Sequence, residues 1–286
     1  MARRALGLAP GDLDLLAGCP PCQGFSGLRT LNGSKTVEDV RNDLIKDFLR
    51  FVKGLLPKAV MMENVPELAK DVRFTTFREK LESLDYVVNW AILDAQHYGV
   101  PQRRKRLVLL AGMERKIEFA PTADTLATVK IALQGLAAAG ASGDPLHDLG
   151  EKRTRPVLER IAKIPKDGGS RTDLPDEEQL PCHQRCNGFK DVYGRMAWDD
   201  VAPTITGGCF NPSKGRFLHP EENRAITLRE AALLQTFPRQ YGFPNLKSKS
   251  DVALLIGNAL PPEFIRRHAS MVLQFIQDSR RAVQTS

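Results

Sequence analysis

No stretch of this 286-residue chain approaches the roughly 20 consecutive apolar residues that a membrane-spanning helix requires. The basic start, Met1-Ala2-Arg3-Arg4, is not followed by the apolar segment of a secretory signal. Cysteine is scarce, and five is an odd number, which argues against a disulfide framework. Internal repeats and low-complexity tracts are also missing. Together these absences lead to the expectation of a cytoplasmic, globular protein with no membrane partner.

What is there is ordinary in bulk. A hydrophobic content of 42% and a charged content of 26% suit one large domain, or one domain plus a smaller one. The net charge of +7 is unevenly spread: residues 201–286 hold 11 Lys/Arg against 6 Asp/Glu, while residues 151–200 hold 10 of each. Such a surplus suits a polyanionic partner. A solvated basic surface would look the same.

Along the chain, Asp12–Ala17 reads as a short buried strand, followed by a Gly-, Ser- and Asn-rich loop from Gln23 to about Asn42. Helical spacing over Asp43–Leu56 puts Leu44, Phe48, Phe51, Val52 and Leu55 on one side, and Pro57 ends it. Ala59–Met62 is a second apolar strand. Phe74–Leu84 reads as helix, and Tyr86–Leu93 and Arg106–Ala111 as strands. This alternation argues for a parallel α/β sheet. From Met113 to about Ala202 the chain is rich in Gly, Pro and charge, with one alanine-rich helical piece at Leu126–Ala139. Thr227 with Glu230 forms a capping box that opens a helix running to Pro238. Another helix ends at Gly257, and Pro262 opens the last, Glu263–Gln277.

The stretch Cys19-Pro20-Pro21-Cys22 admits several readings. A thioredoxin-type pair sits at a helix N-terminus, but Gln23-Gly24-Phe25-Ser26-Gly27 after Cys22 is loop. Zinc needs a second ligand pair; Cys182, His183, Cys186 and Cys209 offer only a C-x3-C spacing, and no metal is assigned. Two buried structural cysteines would explain the stretch more simply. Position argues otherwise, because Cys22 follows the carboxyl end of a strand, where ligands of open α/β sheets bind. Glu63-Asn64-Val65 follows another strand end, and Gln102-Arg103-Arg104-Lys105-Arg106 leads into a third. A thiol, a carboxyl and guanidinium groups can therefore converge.

Pro21-Cys22-Gln23, Glu63-Asn64-Val65 and Gln102–Arg106 resemble three ordered motifs of the DNA (cytosine-5) methyltransferases. The run Arg224–Pro238 resembles a fourth and Gly257-Asn258-Ala259-Leu260-Pro261-Pro262 the last. The resemblance covers nearly the whole chain, from about Asp12 to the final helix. It implies a Rossmann-like α/β methyltransferase sheet with a small irregular target-recognition region. The corresponding division is residues 1–112 for the catalytic part, 113–202 for target recognition and 203–286 for the return to the methyltransferase domain.

By this resemblance Cys22 is the nucleophile, Glu63 the proton donor, Arg106 the partner of the base's O2, and Arg104 a group that orients the site. Those residue types suit the chemistry. Carbon 5 of cytosine is a poor nucleophile, so a thiolate must first add at carbon 6. The electron density pushed toward N3 then needs a proton and a guanidinium nearby. The resemblance implies S-adenosyl-L-methionine as methyl donor, with Asn258, Pro21 and Leu44 on its side of the pocket. It implies double-stranded DNA as substrate, with a base flipped out under a lid formed by Gly24–Asn42. Gln23, Ser26, Asn64, Val65 and Gln102 fall on the DNA side. Arg171 in Gly168-Gly169-Ser170-Arg171, and Lys214 and Arg216 in Ser213-Lys214-Gly215-Arg216, lie in basic turns read as flexible and able to reach phosphates or base edges. Cys19 stands where the family commonly has glycine and receives no role.

The family pattern breaks at the N-terminus, where members carry a glycine-rich loop and acidic residues on three earlier strands. Only 11 residues precede Asp12, and no such loop stands among them or after the last motif. The expectation is a sheet lacking its first three strands, with a bare apolar edge at Asp12–Ala17. The resemblance then leads to the expectation of a fragment or mis-started reading, or of one chain of a two-chain enzyme with the partner supplying those strands. Besides the methyltransferase, an accessory DNA-binding chain without catalysis and an RNA cytosine methyltransferase stay open.

Overall fold

The computed structural model describes residues 7–21, 43–150, 152–180, 190–243 and 248–285. Cys22, Gln23, Ser26 and the proposed lid therefore lie outside the described residues, as do Cys182, His183 and Cys186. Two compact units are present. One comprises Met1–Asp94, Lys105–Pro121 and Arg266–Ser286; the other comprises Ala95–Arg104 and Thr122–Ile265. These packing units do not coincide with the division expected at residues 113 and 203. No described helix is long and apolar enough to cross a membrane.

The first unit holds a four-stranded open sheet of β1 (Leu15–Gly18), β2 (Ala59–Asn64), β3 (Tyr86–Asp94) and β4 (Lys105–Met113), in the order β1-β2-β4-β3. Only β1 and β2 are parallel, with Gly18 opposite Met62; β4 runs antiparallel to both β2 and β3. The expectation of an all-parallel sheet is corrected here, and the reason is linker length. Parallel neighbours need a crossover of roughly a dozen residues or more, usually a helix. The segment Ala95–Arg104 between β3 and β4 has room only for a 3-10 turn at Ala95–Tyr98, so the chain turns straight back. Among the described strands β1 is an edge, as the sequence led us to expect.

Helices α1 (Leu44–Leu55) and α2 (Val72–Glu82) cover one face of the sheet. Val60, Met62, Leu107, Leu109 and Ala111 point to that side and pack with Ile45, Val52, Phe74, Phe77 and Leu81. The Phe48 and Phe77 rings stack at 5.8 Å. In α1 the inward stripe is Ile45, Phe48, Val52 and Leu55, so three of the five expected residues face the core, while Leu44 and Phe51 are 36% and 39% exposed. Helical spacing of three and four residues admits either set. On the opposite face Gly112 lets the Phe275 ring lie against the strand, because a Cβ there would come within 2.7 Å of it. Phe275 belongs to α7 (Pro262–Thr285). Burial on both faces explains why β2 reads as an unbroken apolar run through Met62.

The second unit is mostly irregular, with short helices α3 (Val129–Leu133), α4 (Arg155–Lys163), α5 (Leu228–Leu234) and α6 (Lys249–Asn258). Its main core gathers Val129, Leu133, Ile205, Phe217, Leu228, Leu234 and Ile256. The alanine-rich stretch forms only α3, because Gly135 turns the chain at a φ of +72°. Arg195 supplies order where secondary structure does not. It is wholly buried, and its five donors go to the carbonyls of Ile161, Ile164, His219 and Glu222 and to Asn223 Oδ1. The predicted capping box is formed: Thr227 N–H donates to Glu230 Oε2 at 2.7 Å, and Glu230 N–H to Thr227 Oγ1 at 3.1 Å. The helix that it opens stops at Leu234, short of Pro238, and Thr236 follows at a φ of +64°.

Candidate active site

In the first unit the chemistry-bearing residues collect where β1 and β2 end and β4 begins. Glu63 faces Val108 in the antiparallel register, which places Arg106 on the same sheet face, two residues along. The pair closes at 2.8 Å between Arg106 Nε and Glu63 Oε1, with side chains only 16% and 13% exposed. Arg106 Nη1 also donates to the Lys105 carbonyl at 2.7 Å, which holds the guanidinium plane. Desolvation lowers the Arg106 guanidinium from its ordinary value, and the charge and hydrogen bond of Glu63 oppose that drop. A planar forked cation beside a half-buried carboxylate can bind a polar planar ring edge, with one group donating and the other exchanging a proton.

Asn64 is 5% exposed and connects the two strand ends. Its Nδ2 donates to the Pro20 carbonyl, and its Oδ1 accepts from Val65 N–H, both at 2.8 Å. The amide therefore pins the stiff Pro20-Pro21 turn, which leads directly into Cys22, to the end of β2. This function differs from the predicted DNA contact, since the amide is spent on the fold. Val65 is half-buried, Pro21 is exposed, and Leu44 is exposed at the first turn of α1.

In the second unit the other half of the basic motif is buried. Gln102 is inaccessible: its Nε2 donates to Leu234 O and Gln235 Oε1, and its Oε1 accepts from Ile205 N–H at 2.8 Å. That network removes Gln102 from the set of DNA contacts. Arg104 is 3% exposed and donates to the carbonyls of Ile205 at 3.0 Å and Gly257 at 2.8 Å. It orients backbone and holds no reacting group in this geometry. Gly257 has no room for a side chain, because a Cβ would meet the Thr206 and Gly207 backbone. Asn258 follows at the exposed end of α6.

The basic turns divide. Lys214 is exposed on the 3-10 turn Pro212–Lys214 and lines an open groove of about 520 Å³ with Arg103, Thr204, Thr206 and Phe217. Arg216 pairs with Asp191 at 3.1 Å and donates to Gly168 O at 2.8 Å and Arg195 O at 2.9 Å. Arg171 is 4% exposed, and Ser170 and Asp173 around it form a closed capping box. Arg171 and Arg216 are thus tied into the fold where flexible turns were expected. Nothing beside these arginines in the chain distinguishes the buried ones from the exposed. Arg103, Gln235 and Gly257 lie inside the same motifs, and their roles here come from the fold: a groove-lining cation, a partner of Gln102 and the carbonyl that Arg104 holds. Among the described residues no group of three His, Cys, Asp or Glu could hold a metal ion.

Residues 3–274 match the profile of the C-5 cytosine-specific DNA methylases. The chain is 38% identical over 278 residues to the Type II methylase M.HgiDII of Herpetosiphon aurantiacus, covering 92% of this chain and 77% of that protein. It is 32% identical over 260 residues to the Type II methyltransferase M1.BsuMI of Bacillus subtilis, covering 87% of this chain but only 58% of that relative. Its fold superposes with a TM-score of 0.64 and 23% identity on a prophage-encoded E. coli protein described as a DNA modification methyltransferase, over 93% of this chain and 79% of that one. With the profile spanning nearly every residue and both rim motifs in place, the chain belongs to the C-5 cytosine-specific DNA methylase family.

Proposed function

We propose that this chain methylates carbon 5 of cytosine in double-stranded DNA, as the protective partner of a restriction endonuclease. The observation that carries the proposal is the Glu63–Arg106 pair, set at the rim beside a Pro20-Pro21 turn that Asn64 holds in place. Cys22 follows that turn. Its thiolate adds to carbon 6 of an extruded cytosine, and the ring's electron pair moves toward N3. Glu63 gives N3 a proton, while Arg106 hydrogen-bonds O2 and stabilises the charge that collects there. After methyl transfer a base removes the carbon-5 proton and the thiolate leaves.

S-adenosyl-L-methionine supplies the methyl group when bound. In the first unit the exposed apolar side chain of Leu44 and the exposed Pro21 are chemically suited to an adenine-bearing ligand. Lys214 and Arg103, exposed on their groove, suit the phosphate backbone.

Bisulfite sequencing of genomic DNA from cells expressing the chain tests the proposal. Unconverted cytosines in one fixed sequence context are expected, and Cys22→Ser should remove them. Methylation found in RNA but not in duplex DNA, or none in either, would overturn it.

A further inference from the structure

Cys19 takes no part in the chemistry above, yet it stands beside the residue that does. Gly18 of β1 lies opposite Met62 of β2 in parallel register, so the next residues, Cys19 and Glu63, emerge side by side at the rim. That placement brings the Cys19 thiol and the Glu63 carboxylate next to each other, close enough for each to act on the other electrostatically. The same carboxylate receives Arg106 Nε at 2.8 Å. Glu63 is therefore flanked by a thiol following β1 and held by a guanidinium at the start of β4.

The state of the thiol decides what Cys19 can do. The residue reaches the surface, but its sulfur is desolvated beside Glu63. Burial and the negative charge of Glu63 push the thiol up to about 12, with Arg106 opposing. At neutral pH Cys19 is S–H, a donor and not a nucleophile. That separates it chemically from the role given to Cys22, three residues on.

We infer that Cys19 is a positioning residue, whose S–H works with Arg106 to fix the Glu63 carboxylate at the rim. The inference rests on reading Glu63 as the proton donor to the base. Glu63 must present its oxygen to N3 of the base, so the orientation of the carboxyl at the rim matters. Among the described residues the charged groups bearing on this pair are Arg106 at the start of β4 and Glu67, which acts on Arg106 from the 3-10 turn after β2. Removing the thiol leaves Arg106 as the holding group. The carboxylate then turns more freely.

Two measurements test this. The first is independent of catalysis: iodoacetamide alkylation of the intact protein across pH, read at Cys19 by peptide mass spectrometry. Cys19 should react at least tenfold more slowly than free cysteine at pH 8.5, and Glu63→Gln should speed it severalfold. Reaction at the free-cysteine rate, or no response to Glu63→Gln, removes the contact and the proposal with it. The second separates kcat from KM. Cys19→Ala should lower kcat about threefold, the scale of one hydrogen bond, with KM for DNA unchanged. Cys19→Ser, which keeps a donor, should restore kcat. A kcat for Cys19→Ala equal to that of the unmodified enzyme overturns the positioning role. Absence of methylation by every form, unmodified chain included, counts against the reading of Glu63 itself, whatever the alkylation result.

Discussion

Arg106 Nε sits 2.8 Å from Glu63 Oε1, diagonally across two antiparallel strands whose neighbouring residues are buried. The strands fix the backbone under both groups, so the pair is placed before any substrate arrives. Charge-assisted contacts of this kind are short and directional. Glu63→Gln removes the ionisable group and keeps the shape; kcat should fall about 10²- to 10⁴-fold, the usual scale for a general acid. Arg106→Lys keeps the charge but loses the planar fork, and should lower kcat about 10- to 100-fold. DNA affinity measured by fluorescence anisotropy should hold in both.

Asn64→Ala leaves the Pro20 carbonyl and the Val65 N–H without their buried partner. The expected cost is about 1–3 kcal/mol in urea unfolding, together with loss of activity as the Pro20-Pro21 turn comes loose. Full activity in Asn64→Ala would show that the turn is held by something else.

Much of this site was readable in the sequence, and for a physical reason. Glu63 and Arg106 are chemistry-bearing residues at strand ends, and apolar strands such as Ala59–Met62 announce themselves. The capping box at Thr227 and Glu230 is a local hydrogen-bond pattern, so it too was legible. Strand direction was not local. Nothing within Arg106–Ala111 says which way it runs, and only the short segment Ala95–Arg104 decides it. The arginines were harder still. Arg104, Arg171, Arg195 and Arg216 look like surface charge in sequence, yet each is buried or tied to backbone carbonyls contributed from far along the chain. Long-range acceptors leave no mark beside the donor.

Gly257→Ala tests one such long-range contact. The added methyl would press on the Thr206 and Gly207 backbone and displace the carbonyl that Arg104 holds. A loss of about 1–3 kcal/mol is expected from overpacking. An unchanged melting temperature would contradict the close approach.

Glu230 should govern part of the acid sensitivity. Burial alone would raise its carboxyl, but two hydrogen bonds from Arg224, each 2.7 Å, and the charge of Arg224 hold it below the ordinary carboxylate value. A group depressed in the folded state stabilises fully above its unfolded value, about 4.3, and loses that contribution as pH falls through the folded value. The stability gap between the unmodified protein and Glu230→Gln should therefore be flat above about pH 5 and close toward pH 3. A gap that widens on acidification would reverse the sign and refute the assignment.

The central claim is that Cys22, set beyond the turn that Asn64 pins, attacks the base. A target duplex carrying 5-fluorocytosine, incubated with the enzyme and S-adenosylmethionine, tests it directly, because the fluorine cannot be eliminated and the covalent adduct persists. The account predicts a denaturation-resistant protein–DNA adduct that maps to Cys22, vanishes in Cys22→Ser and survives in Cys19→Ser. An adduct that maps to Cys19, or one that persists in Cys22→Ser, would contradict it.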